Sequence, residues 1–293
     1  MSVKKIFVAG AGLMGGGITQ VSAQAGYQVV MQDLSDDILT KSLDTIRWSV
    51  GKLVDKGRVK GTVEEIMERI KTTTRVELAD SADFVFEAVV ENLEIKQDLF
   101  ARLDKICPPH TILGTNTSAI PVTEIAVATQ RIDRVVGTHF FSPVPMMKAV
   151  EIVKGLGSSD VSVNIADDLC QSLGKETIRV NRDVAGIVLN RLNFPATIEA
   201  IKLVESGVTT VEDIDKGMRL GFGRPMGPFE TADMAGLDVG YNAMLSVYKE
   251  TRDPKFFPPM LLQRKVKLGH LGRKTGIGWY KYDADGKKVE MAL

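Results

Sequence analysis

The sequence predicts an α/β protein, with an N-terminal Rossmann-type, mostly parallel sheet and a C-terminal all-helical domain. Three observations carry that prediction. Short apolar, β-rich runs alternate with helical patterns through the first 182 residues. The hexapeptide Gly10-Ala11-Gly12-Leu13-Met14-Gly15 closes the first of those runs and opens a helix. From Val184 onward helical periodicity dominates and strand signal almost vanishes. The expected domains are therefore 1–182 and 183–293, with no flexible linker between them.

The elements follow in order. Val3–Ala9 is a buried parallel strand. A helix over Met14–Ala25 stops at Gly26, which suits a C-terminal cap. Gln28–Gln32 is a second strand and ends at Asp33. A polar helix pair spans Asp36–Val54 and Val63–Arg69. Strand Phe84–Val89 precedes a helix over Glu94–Ile106, which must end before Pro108-Pro109. Strand Thr111–Gly114, a helix after Pro121, and strands Val135–Thr138, Ala149–Val153 and Glu176–Val180 complete the first domain. In the second, an apolar helix over Val184–Glu205 contains Pro195, where a kink or break is expected. Helices around Val211–Leu220, Ala235–Thr251 and Pro259–Gly269 follow.

Composition narrows the class. The chain has 293 residues, enough to bury a sizeable core. Lys+Arg and Asp+Glu are 37 each, so net charge is zero, which excludes a nucleic-acid binder driven by overall charge. Hydrophobic residues at 44% and charged residues at 25% exclude disorder. Two cysteines, Cys107 and Cys170, cannot build a disulfide framework or a four-cysteine zinc site. They read as packing residues in a reduced, cytoplasmic protein, and no metal is expected. Met1-Ser2-Val3-Lys4-Lys5 does not lead into a secretory signal, and no apolar run approaches the ~20 residues of a membrane span.

The glycine hexapeptide has the G-x-G-x-x-G spacing that binds a dinucleotide pyrophosphate. Gly10 permits the tight turn, Gly12 lets the pyrophosphate approach, and Gly15 lets helix and strand pack closely. Leu13 and Met14 open the helix, whose N-terminal N–H groups face the phosphates. Asp33, eighteen residues after Gly15, can accept from both ribose hydroxyls and would repel a 2′-phosphate. The cofactor expected is NAD rather than NADP.

Among the three histidines, His139 stands out because it falls at the C-terminal end of a strand, where open sheets gather ligands. Ser118 follows another strand toward the same edge. Glu151 lies in a later apolar strand, where a carboxylate is costly unless paired, and is a candidate partner for the histidine. Asn190 sits in an apolar stretch opening the second domain.

Taken together, the sequence resembles the (S)-3-hydroxyacyl-CoA dehydrogenase family, bacterial 3-hydroxybutyryl-CoA dehydrogenases in particular, over essentially the whole chain. The resemblance rests on Gly10–Gly15, Glu87-Ala88-Val89-Val90-Glu91-Asn92, Asn116-Thr117-Ser118 and His139-Phe140-Phe141-Ser142-Pro143-Val144-Pro145. Asn190-Arg191, Pro225-Met226-Gly227-Pro228 and Leu271-Gly272-Arg273-Lys274-Thr275-Gly276 continue it. It implies that His139 is the general base, Glu151 orients it, Ser118 bonds the substrate oxygen, and Asn190 helps hold the substrate. It implies that Glu91, Lys96 and Asn116 lie near the nicotinamide end of the cofactor, and that Lys52 and Lys56 contact the CoA portion. A homodimer formed through the C-terminal domain, and a place in fatty acid or butanoate metabolism, are further implications. Ala119, Ser142 and Ile187 depart from the family pattern and bear on the acyl group rather than on the reaction. Two other readings stay open at this point: a dehydrogenase of a free hydroxy acid such as gulonate or carnitine, and a non-enzymatic, crystallin-like NAD-binding protein.

Overall fold

The computed structural model describes residues 3–292. Met1 and Ser2, the start of the segment read for a targeting signal, lie outside the described residues. The strands are β1 (Lys5–Ala9), β2 (Gln28–Gln32), β3 (Ile70–Thr73), β4 (Phe84–Glu87), β5 (Ile112–Thr115), β6 (Val135–Phe140), β7 (Ala149–Val153) and β8 (Glu176–Val180), with β9 (Tyr280–Tyr282) and β10 (Lys288–Met291) near the C-terminus. The helices are α1 (Leu13–Gln24), α2 (Asp36–Asp55), α3 (Val63–Met67), α4 (Leu93–Ile106), α5 (Val122–Ala126), α6 (Asp160–Ser172), α7 (Leu189–Glu205), α8 (Val211–Phe222), α9 (Pro228–Ala235), α10 (Leu237–Thr251) and α11 (Met260–Lys267).

The chain divides into two compact units, Met1–Ile187 and Val188–Leu293. The first is built on an eight-stranded sheet in the order β3-β2-β1-β4-β5-β6-β7-β8. The strands are parallel except where β7 runs antiparallel to β6. Strand order reverses between β1 and β4, so the ligand crevice of such a sheet opens there. Strands β4, β5 and β6 are buried along their whole length, as a sheet covered on both faces requires. One core cluster centres on Val8, Ile18, Phe84, Phe86 and Phe140, and the other on Phe7, Val85, Phe100, Leu113 and Val153. Helix α2 starts where the sequence makes it start. The Ser35 hydroxyl accepts from Asp37 N, two aspartates favour its positive end, and Lys52 complements the other.

The division falls after Ile187 rather than after Arg182, because Asp183 accepts a hydrogen bond from Thr123 N and Ile187 packs with Phe7 and Val122. The expected helix at Val184 consequently begins only at Leu189, and it runs through Pro195 without a break. The helix expected around Ala235–Thr251 is present as α10, beginning at Leu237 after Gly236, at φ 101°, whereas α9 before it was not expected. Strand β3 and the β9–β10 hairpin were not expected. Both are short, partly exposed and weakly patterned.

The second unit, mostly helical, is organised by two fully buried aspartates. Asp215 accepts from Phe229 N, Glu230 N and the Tyr280 hydroxyl, and so caps α9 from the neighbouring helix. Asp233 accepts from Trp279 N, Tyr280 N and the Tyr282 hydroxyl, which ties β9 to α9. Burial pushes both carboxyls up from their ordinary value, against the pull of these donors.

Candidate active site

The crevice end of the sheet aligns Ala9, Glu87, Thr115 and Gly137 across four neighbouring strands. The residues just beyond that row are those that carry chemistry.

On β1 the next residue is Gly10, at φ 100°, where a side chain would be strained and a Cβ would lie 2.5 Å from the Ala88 carbonyl oxygen. A Cβ on Gly15 would lie 1.8 Å from the Gly10 carbonyl oxygen, so α1 can leave the strand at this angle only with glycine there. Gly12 differs, since a Cβ there would meet nothing within 4 Å. The N-terminus of α1 thus presents open space at its N-cap, with no side-chain cap and no acid in its first turn. Leu13 is exposed and Met14 half-buried beside it. Asp33, at the end of β2, accepts from Ala11 N at 2.7 Å and from Leu34 N at 2.7 Å, one bond on each oxygen. Each oxygen keeps a further lone pair for a hydroxyl. This is a cradle that fits a dinucleotide.

Two strands further on, β6 and β7 place His139 directly opposite Glu151. Cross-strand partners share a face of the sheet. Here Nδ1 of His139 lies 2.7 Å from Oε2 of Glu151, both side chains being buried. A carboxylate only accepts, so Nδ1 carries the proton and donates, and Nε2 is left with its lone pair. Phe141 lies against the imidazole, with ring centroids 4.5 Å apart. Asn116, just past β5, accepts from Phe140 N at 2.9 Å and so fixes the backbone next to His139. The loop after β6 is held by Lys175, whose buried ammonium donates to the carbonyls of Val144 and Met147. Burial pulls that ammonium's pKa down.

Ser118 belongs to a turn organised by Glu91. One oxygen of Glu91 accepts from the Thr117 hydroxyl at 2.6 Å, Ser118 N at 2.8 Å and Ala119 N at 2.9 Å. Burial works against the charge of Glu91, yet Lys96 and these donors outweigh it and hold its carboxyl below the usual value. Lys96 is fully buried and pairs with Glu87 at 2.6 Å and Glu91 at 3.3 Å. Sequence reasoning gave Glu87, Thr115, Thr117 and Lys175 no role. For Glu87 a signal existed, namely an acid in an apolar strand.

Lys52 and Lys56 stand apart from this cluster, exposed at the end of α2 and at its C-cap. Asn190 belongs to the second unit, where it lies half-buried in the first turn of α7. Both cysteines are buried thiols, Cys107 pushed up to about 12, in keeping with packing rather than reactivity. Among the described residues no group of His, Cys, Asp and Glu could hold a metal ion.

Known proteins bear directly on this geometry. The profile of the 3-hydroxyacyl-CoA dehydrogenase NAD-binding domain matches residues 5–184, and that of the C-terminal domain of the same family matches 186–282. The chain belongs to the 3-hydroxyacyl-CoA dehydrogenase family. It is an NAD-dependent oxidoreductase of 3-hydroxyacyl-CoA. A probable 3-hydroxybutyryl-CoA dehydrogenase of Bacillus subtilis is 42% identical over 97% of this chain and 99% of that protein. The crystal structure of (S)-3-hydroxybutyryl-CoA dehydrogenase from Ralstonia eutropha superposes with a TM-score of 0.90 at 39% identity, covering 96% of this chain and 100% of that one. A 3-hydroxyadipyl-CoA dehydrogenase of Escherichia coli is 38% identical over 99% of this chain, which spans 61% of that protein.

Proposed function

We propose that this dehydrogenase acts on short (S)-3-hydroxyacyl-CoA substrates such as 3-hydroxybutanoyl-CoA, reversibly, with His139 as general base. The observation that supports this most directly is the buried His139–Glu151 pair at 2.7 Å. Bound NAD supplies the hydride acceptor at C3 of the substrate. His139 takes the C3 hydroxyl proton on Nε2, because its other nitrogen is committed to Glu151. As the imidazole gains charge, the Glu151 carboxylate stabilises it at short range, in a setting where little water screens the pair. Ser118 donates to the substrate oxygen, and its backbone is fixed by Glu91. Asn190 helps hold the substrate.

The cofactor is held by Gly10, Gly12, Leu13, Met14 and Gly15 around the pyrophosphate and by Asp33 at the ribose. Glu91, Lys96 and Asn116 frame the nicotinamide end. Lys52 and Lys56 lie four residues apart on one helical face and attract the phosphates of CoA. The 1–182 region binds the cofactor and carries His139, Ser118, Lys52 and Lys56, and 183–293 contributes to substrate binding and a homodimer interface. No helix among the described residues is long and apolar enough to cross a membrane, and we place the enzyme in the cytoplasm, in butanoate or fatty acid metabolism.

The test compares acetoacetyl-CoA with free acetoacetate as oxidant of NADH, beside NADPH. This reading expects turnover with the CoA ester and NADH, inhibition by free CoA, and little turnover with the free acid. Equal rates with the free acid, or preference for NADPH, would overturn it.

A further inference from the structure

Trp48 is 67% exposed, whereas the other tryptophan, Trp279, is fully buried. We propose that Trp48 is a substrate-binding residue, an aromatic platform on which the adenine of the acyl-CoA stacks while Lys52 and Lys56 hold its phosphates. The inference rests on the reading of these two lysines as contacts of the CoA portion.

Helix α2 decides where the indole points. Its buried residues are Leu39, Ser42, Ile46 and Val50, the spacing of a single helical face. Trp48 follows Ile46 by two residues, which places it about 200° round the helix from that face. Lys52 stands in the same relation to Val50. The large apolar area of the indole is therefore turned to water rather than spent on the core. Trp48, Lys52 and Lys56 follow one another at intervals of four residues, and Lys41 lies seven residues before Trp48. All four are exposed and share one side of the helix. Asp44 and Asp55, also exposed, flank the row. Among the described residues the indole meets no other ring and no cation, and neither Lys52 nor Lys56 has an ion-pair partner.

The row selects its ligand by chemistry. A flat apolar face beside two ammonium groups fits an aromatic base that carries phosphates. An aromatic side chain stacks on any base, and an ammonium attracts phosphate as a point charge. The nucleotide end of CoA supplies both parts. NAD also has a base and phosphates, but its ribose belongs at Asp33, just before α2 begins at Asp36. Trp48 lies twelve residues along the helix from Asp36, about 18 Å at the rise of an α-helix. That is too far for an adenine whose ribose Asp33 holds.

Trp48 is its own reporter, because the only other tryptophan is buried. Adding CoA to the protein is expected to quench Trp48 emission and to shield it from acrylamide. Pantetheine, which has neither base nor phosphates, is expected to do neither. Trp48→Ala removes an exposed side chain that packs on nothing in the core, so the fold is kept. It is expected to raise KM for acetoacetyl-CoA about tenfold, the scale of one base–aromatic stack, with the change confined to KM. Trp48→Phe keeps a flat ring and should stay within about threefold of the parent. With the N-acetylcysteamine thioester of acetoacetate, which carries no nucleotide, the parent and Trp48→Ala should have equal kcat/KM. Unchanged KM in Trp48→Ala, quenching by NAD but not by CoA, emission unmoved by CoA, or an equal loss with the tail-less thioester would each overturn the proposal. Lys52→Ala/Lys56→Ala tells the two readings apart. A raised KM in that variant, with Trp48→Ala at the parental value, would refute this inference alone. An unchanged KM in that variant, with Trp48→Ala impaired and CoA quenching the indole, would refute the reading of the lysines alone.

Discussion

His139 and Glu151 are twelve residues apart in sequence and opposite each other in the sheet. The carboxylate's inability to donate is what fixes the imidazole tautomer. Glu151→Gln keeps the shape but can donate to Nδ1, which turns the proton-accepting nitrogen the wrong way. Steady-state kinetics should show kcat reduced by about 100-fold or more, with NADH affinity unchanged. Glu91 gives a pH prediction. Its folded carboxyl lies below the ordinary 4.5. Its stabilising contribution is therefore complete above that value and is lost as pH falls through the lowered folded one. The difference in thermal midpoint between the parent and Glu91→Gln should be largest at neutral pH and close below about pH 4.5. A difference that grows on acidification would contradict it. At this scale the sequence was legible where one argument had been applied. Glu151 was singled out as an acid in an apolar strand, and Glu87, which satisfies the same test, was not. The partner of Glu87 is a lysine nine residues on across a strand–helix turn, and no linear spacing rule pairs those.

Among the elements, the β1–α1–β2 unit was the most legible, because glycine spacing, strand and acid all agree. Gly12 is its most informative position. Gly12→Ala adds a methyl group that meets no atom within 4 Å apart from its own chain neighbours. The thermal midpoint should hold, while NADH binding weakens by about tenfold or more if that space holds the pyrophosphate. Gly15→Ala should instead fail structurally, since its Cβ would meet a backbone carbonyl at 1.8 Å. Strand β7 was placed correctly, but its direction was not read. Eight residues separate β6 from β7, too few for the crossover that a parallel pair needs. It is this reversal that brings Glu151 onto His139. Strand β3 and the β9–β10 hairpin escaped because short, half-exposed strands carry little hydrophobic period.

The whole molecule divides chemically as well as structurally. The first unit holds the dinucleotide cradle, the His139–Glu151 pair and the Glu91 turn, while the second is held together by Asp215 and Asp233. Asp233→Ala removes one carboxylate and leaves Trp279 N, Tyr280 N and the Tyr282 hydroxyl without their acceptor. Denaturant unfolding should show a loss of about 3–5 kcal/mol from the second unit. The fold class was legible in the sequence because periodicity changes near residue 183. The boundary itself was not, because residues 183–187 turn back onto the first unit through Thr123 and the apolar cluster around Ile187.

We propose His139 as the proton acceptor of this hydride-transferring enzyme. The most direct measurement is NADH oxidation by acetoacetyl-CoA in the parent and in His139→Ala, with NADH affinity measured on both. Rapid NADH-dependent turnover is expected in the parent, falling by about 10²–10⁴-fold in the variant while the dissociation constant for NADH stays the same. Turnover that survives the substitution would contradict it.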